Sequence, residues 1–151
     1  MHKYDVLDEI IIYADSKTVY NAILSEFSGH TDYWMPHFSV KLIKGNAPDN
    51  IGALMFMVVH STPRIIFLVE TIEVKKNKML LVKYIKGAFR GEGLWKFEEI
   101  GGLTKLSFHW TANPSWLMFK LLDPFINVPK MHSKVIQLGF RQLKKNLSKR
   151  S

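Results

Sequence analysis

The chain has 151 residues, no cysteine and a formal charge of +8, with 47% hydrophobic and 13% aromatic residues. That length suits one domain with a core of its own, and the apolar content excludes a disordered chain. The lack of cysteine excludes a disulfide framework, thiolate metal sites and thiol catalysis, and the basic residues come with no recognised nucleic-acid motif, so they read as a solvated face.

The N-terminus, Met1-His2-Lys3-Tyr4-Asp5, leads into a strand pattern without the features of a signal peptide. No apolar run approaches the roughly 18 residues of a membrane-spanning helix, the longest candidate being Ile65 to Val69. A cytoplasmic protein is expected. Val6 to Tyr13 is β-branched and apolar, as a first strand requires, and ends at Ala14-Asp15. Asp15 or Ser16 caps a helix through Leu24, with Val19, Tyr20, Ile23 and Leu24 on its buried side. A second short helical turn is expected around Gly29 to Trp34, before Pro36.

Strands dominate from there. Phe38 to Lys44, Ile51 to His60, Ile65 to Val74, Met79 to Ile85, Phe89 to Glu98 and Leu103 to Ala112 follow one another through short connections, which implies an antiparallel meander. In the sixth strand Phe89, Gly91, Gly93, Trp95 and Phe97 share one face against Arg90, Glu92, Lys96 and Glu98. The seventh answers with Leu106, Phe108, Trp110 and Ala112 against Lys105, Ser107, His109 and Thr111. One face of this sheet is therefore apolar and aromatic.

An apolar cluster, Trp116 to Ile126, follows and is broken by Asp123-Pro124. It reads equally as a packed extension of the core, as a cap over a pocket, or as a patch that touches a membrane or a partner. Pro129 to Lys149 reads as a long helix. Val135, Ile136, Leu138, Gly139, Phe140, Leu143 and Leu147 form one broad apolar face, with Lys134, Arg141, Lys144 and Lys145 opposite or flanking. Glycine inside a helix costs about 1 kcal/mol relative to alanine, so Gly139 is expected to leave room for a packed side chain or a bound ligand.

Strand, two short helices, six-stranded meander and long C-terminal helix is the order of the α+β helix-grip fold, a seven-stranded curved antiparallel sheet around that last helix. On this order the single domain 1–151 resembles the START-like or SRPBCC superfamily, including polyketide cyclase/dehydrase-like proteins and the birch-pollen-allergen group. The residues that carry the likeness are Ile12-Tyr13-Ala14-Asp15-Ser16-Lys17-Thr18-Val19-Tyr20, Trp34-Met35-Pro36, Gly93-Leu94-Trp95-Lys96-Phe97 and Gly101-Gly102-Leu103-Thr104-Lys105-Leu106. The resemblance implies an apolar cavity between sheet and helix that takes a lipid, polyketide, isoprenoid or similar molecule.

Phe89, Gly91, Trp95, Phe97, Phe108 and Trp110 on the sheet and Val135, Ile136, Gly139 and Leu143 on the helix are the expected walls, and replacing Gly139 with leucine is expected to block uptake with the fold intact. The alternative implied by the resemblance is a cyclase or dehydratase, for which Tyr84, His60, Arg64 and Glu70 are the candidate polar groups. Glu70 points inward only if Ile66, Leu68 and Ile72 do; the opposite phase, with Ile65, Phe67 and Val69 inside, leaves it in water. The six histidines show no metal-ligand spacing; His109 falls on a polar strand face, and His132, which begins the covering helix near Met131, reads as a surface histidine first and as one reaching the cavity mouth second. No metal, cofactor or nucleic-acid partner is expected. A hydrophobic small molecule is, with peripheral membrane contact and a monomer or homodimer left open.

Overall fold

The computed structural model describes residues 2–148, and among these seven strands form one antiparallel sheet. They are β1 (Tyr4–Ile12), β2 (Phe38–Lys44), β3 (Leu54–Val59), β4 (Ile65–Lys75), β5 (Met79–Gly87), β6 (Phe89–Ile100) and β7 (Leu103–Pro114). Their spatial order is β1-β7-β6-β5-β4-β3-β2, so the meander runs unbroken from β2 to β7 and the first strand closes the far edge beside β7. The helices are α1 (Ser16–Phe27), α2 (Leu117–Leu122) and α3 (Val128–Ser148), with a 3-10 turn at Asp123–Phe125 between the last two. This is the helix-grip arrangement.

Alternation sets the inward face. Phe89, Gly93, Trp95 and Phe97 of β6 are buried while Arg90, Lys96 and Glu98 are exposed, and Leu106, Phe108, Trp110 and Ala112 of β7 are buried across from them. The register pairs Trp95 with Phe108 and Gly93 with Trp110. A Cβ on Gly93 would lie 2.5 Å from Cε1 of Phe108, so the missing side chain is what lets the Phe108 ring lie flat, 4.3 Å from Trp95 in a stacked pair. In β4 Phe67, Val69 and Thr71 are buried, which leaves Glu70 on the outer face, opposite Lys83 of β5.

Asp15 is the N-cap of α1, its side chain accepting a hydrogen bond from Thr18 N at 2.8 Å. The helix continues past Leu24 to Phe27, because Phe27 extends the stripe of Val19, Tyr20 and Ile23 into the core. The helical turn expected near Gly29 to Trp34 is a pair of tight turns, Met35 N to Asp32 O at 3.1 Å and His37 N to Trp34 O at 3.0 Å, that do not propagate into a helix. The third strand starts later than its apolar run suggests: Ile51 and Gly52 belong to the preceding turn, where Gly52 has φ +88° and Ile51 is exposed.

Helix α3 comes closest to β1 rather than to the middle of the sheet. Gly139, Phe140, Leu143 and Leu147, in its C-terminal half, are buried, whereas Val135, Ile136 and Leu138 in the N-terminal half are only partly covered. Lys149 and Arg150, expected at the end of the helix and in the basic tail, lie outside the described residues. A helix held at one edge of a curved sheet leaves space over the remaining strands, and the site occupies that space.

Candidate ligand-binding cavity

A cavity of about 400 Å³ lies between the sheet and the N-terminal half of α3. Its floor is Phe89 and Trp95 of β6, Phe108 and Trp110 of β7, and, further along the sheet, Tyr84, Val82, Phe67 and Met57. Its roof is Met131, His132, Val135, Ile136 and Leu138 of α3. Phe119 of α2 and Val128 close one end, and Phe27, Trp34 and Phe38 the other. The polar lining is sparse: His37, Ser61, Lys134, Tyr84 and His132.

Seven of the residues expected from sequence line this space: Phe89, Trp95, Phe108, Trp110, Val135, Ile136 and, among the polar candidates, Tyr84. The other expected wall residues lie elsewhere. Phe97 packs against Tyr20, with ring centroids 5.1 Å apart, and Leu143 is fully buried in the core. Gly91 faces the backbone of Thr111. The room left by Gly139 is filled by a side chain: a Cβ there would lie 1.8 Å from Cε2 and 2.1 Å from Nε1 of Trp34. Gly139 therefore seats the indole that walls the cavity, and a leucine at this position would have to expel Trp34.

The remaining polar candidates do not converge. His60 and Arg64 are exposed at the turn between β3 and β4, where His60 Nε2 is 2.8 Å from Ser39 Oγ, and Glu70 is on the outer face. Tyr84 is buried at the floor, and burial pushes its phenol well above the ordinary range, so it stays protonated. His109 is likewise on the outer face, paired with Asp5 at 2.5 Å. Among the described residues no group of three His, Asp or Glu side chains is close enough to hold a metal ion.

Two residues that shape the site were not singled out from the sequence. Glu26 falls on the buried stripe of α1, three residues after Ile23, and is 2% exposed. Its carboxylate accepts from Thr31 Oγ1 at 2.6 Å, Tyr33 N at 3.1 Å and Trp34 N at 3.3 Å, and so fixes the loop that delivers the Trp34 indole to Gly139. Asp8 takes the inward phase of β1 with Tyr4, Val6 and Ile12, and is 5% exposed. It accepts from Ser133 Oγ at 3.0 Å and Gln137 Nε2 at 3.2 Å, both on α3. The signal was available as a charged residue in phase with an apolar strand face.

His132 lies beside Asp8. Its ring stacks on Trp110 with centroids 4.1 Å apart and an interplanar angle of 5°, and Nδ1 is 4.0 Å from Asp8 Oδ2. Burial lowers its pKa to about 3, so the imidazole is neutral at physiological pH. Three buried nitrogens here, Trp34 Nε1, Trp110 Nε1 and His132 Nδ1, have no hydrogen-bond partner among the described residues.

The sheet, the gripping helix and the cavity between them define the START-like class of fold. TTHA0849 from Thermus thermophilus superposes with a TM-score of 0.78 at 20% identity, covering 98% of this chain and 99% of that one. A START superfamily protein from Mycobacterium smegmatis gives 0.73 at 14% identity over 97% and 99%, and Ara h 8.0201 gives 0.70 at 13% over 97% and 98%. At these identities the likeness is one of fold. No family model and no curated protein sequence matches the chain.

Proposed function

We propose that the protein binds a hydrophobic small molecule, of the lipid, polyketide or isoprenoid kind, in the cavity between the sheet and α3. The observation that carries this reading is an aromatic and aliphatic enclosure of about 400 Å³ in a chain of this size. Protein interiors ordinarily hold few voids larger than a water molecule. At about 24 cal/mol per Å³, leaving such a volume unfilled by packed atoms would cost on the order of 10 kcal/mol, comparable to the whole stability of a domain. The mouth beside Lys134 and Ser61 admits solvent and lowers that cost, yet the walls remain apolar, and an apolar guest recovers the contacts that water cannot supply.

Binding is preferred to cyclase or dehydratase chemistry because acid–base catalysis needs polar groups matched to the working pH and converging on one substrate atom. The two such groups deepest in the lining are a phenol pushed far up and an imidazole pushed far down. Native mass spectrometry of gently purified protein tests the proposal: a retained small molecule, displaced by an added apolar probe, is the expected result. Failure to retain any molecule together with failure to bind apolar probes would overturn it.

The exposed part of the Trp116 to Ile126 segment supports contact with a membrane surface. Phe119 is buried in the cavity wall, while Leu117, Leu121 and Phe125 of the same segment are 68%, 64% and 82% exposed, with Lys120 exposed among them. Exposed apolar side chains around Lys120, with Asp123 paired to Lys3, suit contact with an anionic lipid surface, next to the end of the cavity that Phe119 and Val128 close.

A further inference from the structure

The cavity lining is apolar except for a few groups, and one of these is organised by residues outside the cavity. His132 is held flat on Trp110 and close to Phe108, with ring centroids 4.1 and 5.8 Å away. Its Nδ1 edge is buried and turned toward Asp8, a carboxylate that β1 carries in register with Phe108 and that Ser133 and Gln137 hold in place. The two ring nitrogens lie on different edges, so with Nδ1 covered it is the edge bearing Nε2 that the ring offers to the cavity it lines.

A neutral imidazole carries one proton and one lone pair. A proton on Nδ1 is attracted by the carboxylate 4.0 Å away, whereas a lone pair there would be repelled by it. Asp8 therefore selects the Nδ1–H tautomer and leaves Nε2 as an acceptor inside an aromatic enclosure. We infer that His132 is the polar anchor of the cavity, that Asp8 is its positioning residue, and that the ligand is an apolar molecule bearing a hydroxyl group, phenolic or alcoholic, which donates a hydrogen bond to Nε2. The inference rests on the binding function proposed above and names the chemistry by which the site would tell one apolar molecule from another.

Two probes of matched size, 2-naphthol and 2-methylnaphthalene, separate the anchor from the cavity. By calorimetric titration the wild-type protein is expected to bind 2-naphthol about five- to tenfold more tightly, the worth of one net hydrogen bond in a buried site. In His132→Phe the preference should vanish, with an unchanged circular dichroism spectrum and a cooperative urea transition certifying that the variant folds; a preference that persists overturns the anchor. In Asp8→Asn the preference should shrink, because the amide keeps one oxygen to accept from Gln137 Nε2, its NH2 can only donate toward Ser133 Oγ, and it no longer biases the tautomer with a full charge.

Imidazole ¹⁵N chemical shifts supply a readout that a merely structural role for Asp8 would not move. The shifts should report Nδ1–H for His132 in the wild type and a drift toward Nε2–H in Asp8→Asn. An Nε2–H tautomer in the wild type, or equal affinity for the two probes, overturns the anchor and leaves the cavity standing. Binding of neither probe overturns both.

Discussion

Gly139→Ala is expected to destabilise the protein by about 1–2 kcal/mol even though alanine is the better helix former. Propensity alone favours the substitution by about 1 kcal/mol, because glycine loses more backbone entropy in a helix. Against this, the new Cβ would sit 1.8, 2.1 and 2.2 Å from three atoms of the Trp34 indole, a rigid ring with no flexible end to give way. The ring is braced by neighbours, with centroids 6.3 Å from Trp95 and 6.2 Å from Phe140, and its backbone N is bonded to Glu26. Overpacking of this kind costs about 1–3 kcal/mol, and the closeness of three ring atoms places it at the upper end.

The assay is urea unfolding at unchanged m-value, or a Tm fall of about 2–4 °C for each kcal/mol in a chain of this length. A second consequence follows from Trp34 also walling the cavity: an expelled indole takes up ligand space, so 2-methylnaphthalene should bind more weakly. In a Trp34→Ala background the same glycine substitution should become stabilising, since only the propensity remains. If Gly139→Ala stabilises the otherwise native protein, Trp34 does not occupy the space over Gly139 and the reasoning fails.

Glu26→Ala should cost about 3 kcal/mol in urea unfolding, because it leaves the Tyr33 and Trp34 amides without their charged acceptor, and it should alter tryptophan fluorescence as Trp34 loses its fixed seat. A His132 pKa lowered from 6.5 to about 3 makes stability full above pH 6.5 and falling as the pH drops toward 3, since the unfolded chain takes up the proton first. The slope is up to about 1.4 kcal/mol for each pH unit. Asp8, which the fold brings to the ring beside the uncharged Phe108 and Trp110, favours the imidazolium and so narrows the window of that slope from its acid side. In His132→Phe the pH dependence of the urea midpoint over this window should flatten, and an unaltered dependence would remove His132 as its source. Phe125→Ser combined with Leu121→Ser should abolish co-sedimentation with anionic phosphatidylserine vesicles while 2-methylnaphthalene binding persists; equal sedimentation of variant and wild type would refute the lipid contact.

The fold was legible because its signals are local. Alternation in β6 and β7 assigns the buried set Phe89, Gly93, Trp95, Leu106, Phe108 and Trp110 without reference to any other part of the chain, and strand order follows from short connections. The cavity walls followed to the extent that they share those patterns. What was not legible depends on partners distant in sequence. Nothing around Gly139 says that the side chain filling its space is Trp34, and nothing around Trp34 says that a carboxylate in α1 holds it. Leu143 and Phe97 carry the same pattern as the lining residues yet fall where α3 and α1 close on the sheet, because periodicity reports a face and not the distance at which the opposing face lies.

Asp8 connects these observations. An inward carboxylate on an edge strand carries a desolvation cost that a leucine of similar size would not. Its hydrogen bonds to Ser133 and Gln137 recover part of that cost and fasten the N-terminal half of α3 to β1, at the sheet's edge. Fastened there, this half of the helix lies along β1, with His132 laid on Trp110 and the cavity between its remaining side chains and the sheet. The same charge sets the tautomer of His132, one helical position before Ser133. One buried acid thus ties down the helix that roofs the cavity and orients the ring that gives the cavity a polar group, and both effects are ones a simple packed core would do without.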